Sequence, residues 1–121
     1  MQRRHRLRRA ADFDLLRRKG KRWYHPLVVM VVRANNQQIS KIGFSASRRI
    51  GKAVSRNRVK RLFREVIRRQ VQDIEVGWDC LFIARSGAAE ASYLELETAM
   101  TELLQRACML DTDLIDSTQT R

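Results

Sequence analysis

The clearest pattern of apolar and polar positions in the chain lies within residues 47 to 69. Its apolar residues recur at i, i+3, i+4, i+7 and i+8, the spacing of one face of an α-helix that docks on a core. These residues are Val59, Leu62, Phe63, Val66 and Ile67. Polar residues fall in an arc roughly opposite, namely Asn57, Lys60, Arg61, Arg64 and Arg68. The pattern predicts a helix with one apolar side and one cationic side.

Shorter patterns predict the other elements. In chain order they are a helix over 10–19, a short strand over 21–24, a buried strand over 27–32, a half-buried strand over 42–47, the helix just described, a strand over 79–84 and a last helix. Ser92 and Glu95 have the spacing of a capping box at the start of that last helix. The order α-β-β-β-α-β-α predicts an α+β fold, a two-layer sandwich of helices on a small mixed sheet.

Length and charge indicate one basic domain over residues 1–110. Within it, residues 1–9 form a basic arm that we expect to be mobile until it meets a partner, and 111–121 form an acidic tail that we expect to be disordered. The net charge is +12, and it is divided unevenly. Residues 1–70 hold 22 Lys and Arg against 3 Asp and Glu, whereas 71–121 hold 3 against 10. The first half is therefore the expected binding half.

The cations of residues 47–69 have few acidic neighbours. Glu65 is the only acid in the stretch, so a solvated face stabilised by ion pairs between neighbouring turns is a poor explanation. Lys52, Arg56 and Arg58 crowd the helix start, where the macrodipole is already positive and cations are unfavourable. This arrangement favours bound anions, and the spread of charge points to a polyphosphate backbone.

At these residues the sequence resembles the protein component of bacterial ribonuclease P. The family signature Ser-Lys-Lys-x-Gly-x-Ala-Val-x-Arg-Asn-Arg-x-Lys-Arg-x-x-Arg-Glu is met at Ser47, Gly51, Ala53, Val54, Arg56, Asn57, Arg58, Lys60, Arg61, Arg64 and Glu65. Arg48 and Arg49 stand where the family usually has lysines. Flanking similarity includes Asp12-Phe13, Ile42 to Ser45 and Gly87-Ala88, and the likeness covers about residues 3 to 108.

The resemblance implies a subunit of an enzyme whose large RNA carries out the chemistry. It implies a left-handed β-α-β crossover, no catalytic residue and no metal ligand in this chain, and Mg²⁺ held by the RNA subunit and substrate. Its implied partners are ribonuclease P RNA and precursor tRNA, whose 5′ leader is removed. The residues expected to bind RNA are Arg48, Arg49, Lys52, Arg56, Asn57, Arg58, Lys60, Arg61, Arg64 and Arg68.

A second surface implied by the resemblance is a cleft for the single-stranded leader. Phe13 matches a family aromatic there, although an apolar residue on an amphipathic helix also fits a core position. Arg17 stands where many relatives have a second aromatic. Trp23 and Tyr24 are candidate substitutes, though Trp23 equally fits packing against the sheet. Ser45 completes the expected cleft.

Other functions fit the sequence less well. An independent enzyme is disfavoured because no nucleophile, base and orienting group are clustered in the sequence. A ribosomal-protein-like RNA-binding factor or RNA chaperone is the alternative, since a basic helix suits ribosomal RNA as well. No apolar run suggests a membrane span or secretory signal, so we expect a cytoplasmic protein with no membrane or DNA partner. Cys80 and Cys108 are predicted to be buried free thiols.

Overall fold

The structure is a computed structural model that describes residues 5–7 and 9–108. Its helices and strands are α1 (Ala10–Lys19), β1 (Lys21–Tyr24), β2 (Val28–Ala34), β3 (Lys41–Ser45), α2 (Ala53–Gln70), β4 (Trp78–Ala84) and α3 (Tyr93–Arg106). Short 3₁₀ turns lie at Arg48–Ile50, Val71–Asp73 and Ser86–Glu90. The α+β class and the order α-β-β-β-α-β-α are confirmed. The predicted acidic tail lies outside the described residues.

The strands form one mixed sheet in the order β1-β2-β4-β3. β2 pairs antiparallel with β1 and with β4, whereas β3 pairs parallel with β4. Because parallel neighbours need a crossover connection, α2 lies between β3 and β4 in the chain and packs over the sheet. β3 is therefore an edge strand with α2 beside it.

α2 and α3 cover one face of the sheet and bury most of the core. Strand residues that point to this face include Met30 on β2, Phe44 on β3 and Phe82 on β4. The Phe44 ring lies 6.1 Å from Phe63 of α2 and 6.1 Å from Phe82, measured between centroids. This aromatic cluster joins the edge strand to α2, so the position of α2 is fixed by packing and not by its charges.

α1 lies on the opposite face, over alternate residues of the same strands. Leu16 of α1 packs with Val31 of β2 and Leu81 of β4 in a smaller second cluster. Gly43 of β3 allows Phe13 to approach closely, since a Cβ built on Gly43 would lie 2.8 Å from the Phe13 ring. Any larger residue at 43 would therefore force the Phe13 ring to shift.

The part of the basic arm that is described is attached to the sheet. The Leu7 N–H donates to the Ile42 carbonyl at 2.9 Å, and Leu7 is only 5% exposed. Arg6 pairs with Ile42 in a parallel bridge. For residues 5–7, then, the expectation of a mobile arm is wrong, because backbone pairing and burial of Leu7 hold them on the free side of β3.

The two cysteines are free, as predicted, but only one is buried. Cys80 lies in β4 within the core. Cys108 is exposed and follows α3 with a positive φ of 60°. The prediction of burial for Cys108 is wrong because α3 ends at Arg106, before the helical spacing reaches this residue. Among the described residues, no helix has the length and apolar character needed to cross a membrane.

Candidate nucleic-acid interface

α2 has the two faces that its sequence predicts. Val59, Phe63, Val66 and Ile67 are buried against the sheet, and Leu62 is half-buried. On the outer side, Asn57 and Arg61 are exposed. The cationic side of α2 is therefore open to a ligand along its length, while the apolar side holds the helix to the core.

The outer side of α2 contains a shallow depression of about 630 Å³. It is lined by Val54, Asn57, Arg58, Lys60, Arg61 and Arg64. Val54 is 80% exposed within this basic surface. A depression of this shape, bordered mainly by cations and bearing one apolar residue, suits a phosphate backbone with an adjoining sugar or base.

A groove of about 360 Å³ crosses the β3 edge between α1 and α2. Its lining residues are Arg6, Leu7, Phe13, Ile42, Gly43, Phe44, Lys60 and Arg64. The Arg64 guanidinium lies 5.9 Å from the Phe44 ring centroid, in the range of a cation–π contact. The groove thus combines two aromatic rings, from α1 and β3, with two cations of α2.

The turn before α2 presents further cations. The Ser47 hydroxyl accepts a hydrogen bond from the Arg49 N–H at 3.3 Å, which shapes the Arg48–Ile50 turn. Gly51 has φ 136°, a region that side chains rarely adopt, and Arg56 donates to its carbonyl at 2.8 Å. Arg48, Arg49 and Lys52 are all exposed. This turn continues the basic surface beyond the helix start.

Arg58 and Arg68, two further predicted RNA-binding residues, also have side chains that contact protein groups. Arg58 donates to the Ala89 and Ala91 carbonyls at 3.2 and 3.0 Å, which fastens α2 to the segment before α3. Arg68 forms an ion pair with Glu65. The hydrogen bond from Arg68 lowers the pKa of the Glu65 carboxyl. Arg58 therefore has a packing role that the spacing did not indicate.

The α1 face of the sheet brings together most residues of the predicted leader cleft. Tyr24, Val29, Ile83 and Ser45 are cross-strand partners in one row from β1 to β3. Arg17 of α1 donates to the Ser45 hydroxyl at 3.4 Å. Directly opposed residues of neighbouring strands share a face of the sheet, and Val29 packs in the second cluster together with Phe13. Tyr24 and Ser45 therefore lie on the same side of the sheet as Phe13.

Trp23 is the exception. Because successive side chains of a strand point to opposite faces of the sheet, Trp23 lies on the α2/α3 side. There it packs against the main core, and the Lys21 Nζ lies 5.0 Å from the centroid of its ring. The prediction that Trp23 lines the leader cleft is wrong, and the alternative of packing against the sheet is the one observed. Of the two aromatic substitutes, only Tyr24 remains on the cleft face.

Comparison with known proteins identifies the family. The profile described as Ribonuclease P matches residues 1–108. The chain belongs to the ribonuclease P protein family. It is 40% identical over 108 residues to the ribonuclease P protein component of Roseiflexus castenholzii, with 88% of each chain covered. It is 39% identical over 107 residues to that of Herpetosiphon aurantiacus, covering 88% of this chain and 87% of the relative.

Solved structures agree with this assignment. The ribonuclease P protein of Staphylococcus aureus superposes with a TM-score of 0.81 at 27% identity, covering 88% of this chain and 97% of that one. The Thermotoga maritima protein gives a TM-score of 0.77 at 31% identity, with coverage of 84% and 96%. Ribonuclease P is a ribonucleoprotein that processes tRNA, so membership of the family implies an RNA partner for this chain.

Some residues of the groove between α1 and α2 are not predicted from the sequence. The apolar pattern assigns Phe44 only to the inner face of a strand, and it places Arg6 and Leu7 only in a mobile arm. The usable signal is Gly43, because a glycine inside a strand often marks a close approach of another element. Among residues 5–7 and 9–108, no cluster of three or more His, Cys, Asp or Glu could hold a metal ion.

Proposed function

We propose that this chain binds the catalytic RNA of ribonuclease P and the single-stranded 5′ leader of precursor tRNA on two adjoining surfaces. The outer side of α2 and the turn before it would contact the RNA subunit. The groove between α1, β3 and α2, together with the cross-strand row from Ser45 to Tyr24, would receive the leader. The observation that carries the proposal is the groove, because it joins an aromatic platform to the cations of α2.

The chemistry of the groove favours unpaired RNA over a duplex. Phe13 and Phe44 offer ring surfaces, and stacking on aromatic rings requires bases that are not already stacked in a helix. Lys60 and Arg64 line both the groove and the outer depression of α2. A strand in the groove would therefore lie directly beside RNA bound on α2, as a leader beside the catalytic RNA must.

Hydrolysis of the phosphodiester bond is assigned to the RNA subunit, with Mg²⁺ held by that RNA and the substrate. The contribution of this chain is electrostatic. Its cations neutralise phosphates where the leader meets the RNA subunit, so fewer divalent ions are needed to offset repulsion between the strands. This neutralisation is the proposed reason for the improved affinity of the enzyme for substrate and Mg²⁺. The expected location of the protein is the cytoplasm.

Reconstitution tests this proposal. Purified chain is added to a bacterial ribonuclease P RNA, and cleavage of precursor tRNA is followed at low and high magnesium. We expect cleavage at low magnesium only when the chain is present, and tighter binding of precursor than of mature tRNA. No stimulation of cleavage, with RNA binding retained, would favour the alternative of a ribosomal-protein-like factor or RNA chaperone.

A further inference from the structure

A second concentration of positive charge surrounds β1, at the sheet edge opposite α2. Four of its cations come from residues 18–22 at the end of α1 and in β1, and two come from the acidic half of the chain. We call this group the β1-edge cluster, and its members are Arg18, Lys19, Lys21, Arg22, Arg85 and Arg106. All are exposed.

Hydrogen bonds hold the distant members of the cluster against β1. Arg106 of α3 donates to the Tyr24 carbonyl at 2.8 Å, and Arg85 donates to the His25 carbonyl at 3.4 Å. Within the described part of the chain, these are the only cations after residue 71. Arg22 donates to the Arg17 carbonyl at 3.1 Å, which ties β1 to the end of α1. Cations from three helix or strand elements and one loop therefore meet at one edge.

Ordinary structural roles account for only part of this charge. Cations in the last turn of α1 suit the helix macrodipole, which explains Arg18 and Lys19. Lysine on an edge strand discourages aggregation, which explains Lys21. Arg106 lies 3.7 Å from Glu102 in an exposed ion pair. Among the described residues, the other five form no ion pair, so most of the charge is unneutralised.

The cluster lies at the end of a path that begins in the leader groove. The row Ser45-Ile83-Val29-Tyr24 crosses the sheet, and its two edge strands are three strand spacings apart, about 14 Å. Arg17 contacts Ser45 at one end of this path, and Arg22 contacts Arg17. Tyr24 ends the row with 57% of its surface exposed. A strand leaving the groove along this face reaches the cluster next.

We infer that the β1-edge cluster binds phosphates of the leader that lie further from the cleavage site than those in the groove. Tyr24, where the cross-strand row meets the cluster, would stack on a base of the leader. The inference rests on the proposed leader groove. An exposed aromatic residue bordered by cations on two faces of an edge strand matches the way proteins bind single strands, through stacking and a basic track. The cluster therefore lengthens the leader site, and affinity should rise with leader length beyond the groove.

The test compares precursors with leaders of about 4 and about 12 nucleotides, lengths that span the usual site sizes of single-strand-binding folds. The holoenzyme is assembled with the full chain, either unchanged or carrying Lys21→Gln with Arg22→Gln. The matched control carries Lys41→Gln with Arg69→Gln, which removes equal charge from the start of β3 and the end of α2, away from β1. Dissociation constants are measured over a salt series, and affinity for the RNA subunit is measured separately.

We expect the long-leader advantage to be lost in the Lys21/Arg22 variant alone, with short-leader affinity unchanged. Two fewer single-strand phosphate contacts lower the slope of log K against log salt by about 1.4. The variant's loss of affinity for the long-leader precursor should therefore shrink about sevenfold between 0.05 and 0.2 M salt. An equal loss of affinity for both precursors, or weaker binding to the RNA subunit, would overturn the inference by placing the cluster on another RNA. An unchanged affinity for the long-leader precursor would also overturn it.

A failure of the leader groove itself gives a different result. In that case Phe13→Ala would leave short-leader binding unchanged, and precursor and mature tRNA would bind equally. If the groove is correct and only the cluster is misassigned, Phe13→Ala still weakens binding of the short leader. The two ideas can therefore be rejected separately.

Discussion

Phe13 is held against Gly43 on one side and faces the groove on the other, so its ring is partly committed to packing. Replacement by alanine should reduce the affinity difference between precursor and mature tRNA by about 1 to 3 kcal/mol, the value of one stacked base. The loss should be nearly independent of salt, because no phosphate contact is removed. Holoenzyme binding at several salt concentrations measures both quantities.

Leu94→Ala is the matched control for this change, since Leu94 is an apolar helix residue that is 66% exposed and distant from the groove in the chain. It should leave precursor affinity unchanged. Unfolding curves of both variants show whether each is folded. An unaltered precursor preference in folded Phe13→Ala protein would leave Phe13 with a packing role only.

Cys80 gives a prediction about pH. Burial, with the neighbouring Asp79 charge, raises the pKa of this thiol far above its usual range. The folded protein therefore keeps the proton that the unfolded chain loses above about pH 8.5. Stability from the buried thiol is complete below that pH and falls as pH rises, by about 1.4 kcal/mol per unit.

Denaturant unfolding of the unchanged protein and of Cys80→Ala between pH 7 and 10 measures this effect. The alanine variant should be less stable at neutral pH, and the difference should narrow as pH rises. A difference that stays constant over this range would contradict a raised thiol pKa in the folded protein. Thiol labelling is an independent check, because only Cys108 should react before unfolding.

At the scale of elements, α2 separates stability from binding between its two faces. Phe63 is fully buried and touches the Phe44 and Phe82 rings, so Phe63→Ala should lower the free energy of unfolding by about 3 to 5 kcal/mol. Arg61→Ala, on the exposed side, should change it by less than about 0.5 kcal/mol and weaken RNA binding. Urea unfolding and RNA titration on the same samples test both. The reverse result would mean that the two faces are exchanged.

Arg58 joins α2 to the segment before α3. Because hydrogen bonds from a charged group contribute about 1.5 to 3 kcal/mol, Arg58→Ala should lower the free energy of unfolding by about that amount. Arg58→Lys keeps the charge but cannot reproduce the two-pronged contact with Ala89 and Ala91, so it should restore only part of the loss. Denaturation of both variants measures this. Full stability in Arg58→Ala would remove the packing role.

At the scale of the whole molecule, the positive charge is concentrated in residues 1–70, so RNA should bind to the surfaces that this half of the chain forms. Lys60→Ala with Arg61→Ala removes two cations of α2 and should lower the slope of log K against log salt by about 1.8 if both contact duplex phosphates. Glu75→Gln with Glu97→Gln changes two acids of the other half and serves as the control. Titration of the RNA subunit over a salt series should show a change in the first variant and none in the second. Changes of similar size and opposite direction in the two variants would mean that only net charge matters.

The sequence by itself determined the elements and the two faces of α2, because these depend on spacing along the chain. Phe63 and Arg61 could be assigned to opposite sides from 100° per residue alone. The capping box at Ser92 and Glu95 was likewise readable, and both of its hydrogen bonds are present. Local rules suffice where the partners are a few residues apart.

Only the tertiary structure decided which distant residues meet. Strand order and register placed Tyr24 and Ser45 in one row and turned Trp23 to the other face. Packing gave Arg58 its carbonyl partners and brought Arg85 and Arg106 to β1. These contacts join residues far apart in the chain, and their geometry follows from how the helices and strands pack, which no local pattern records.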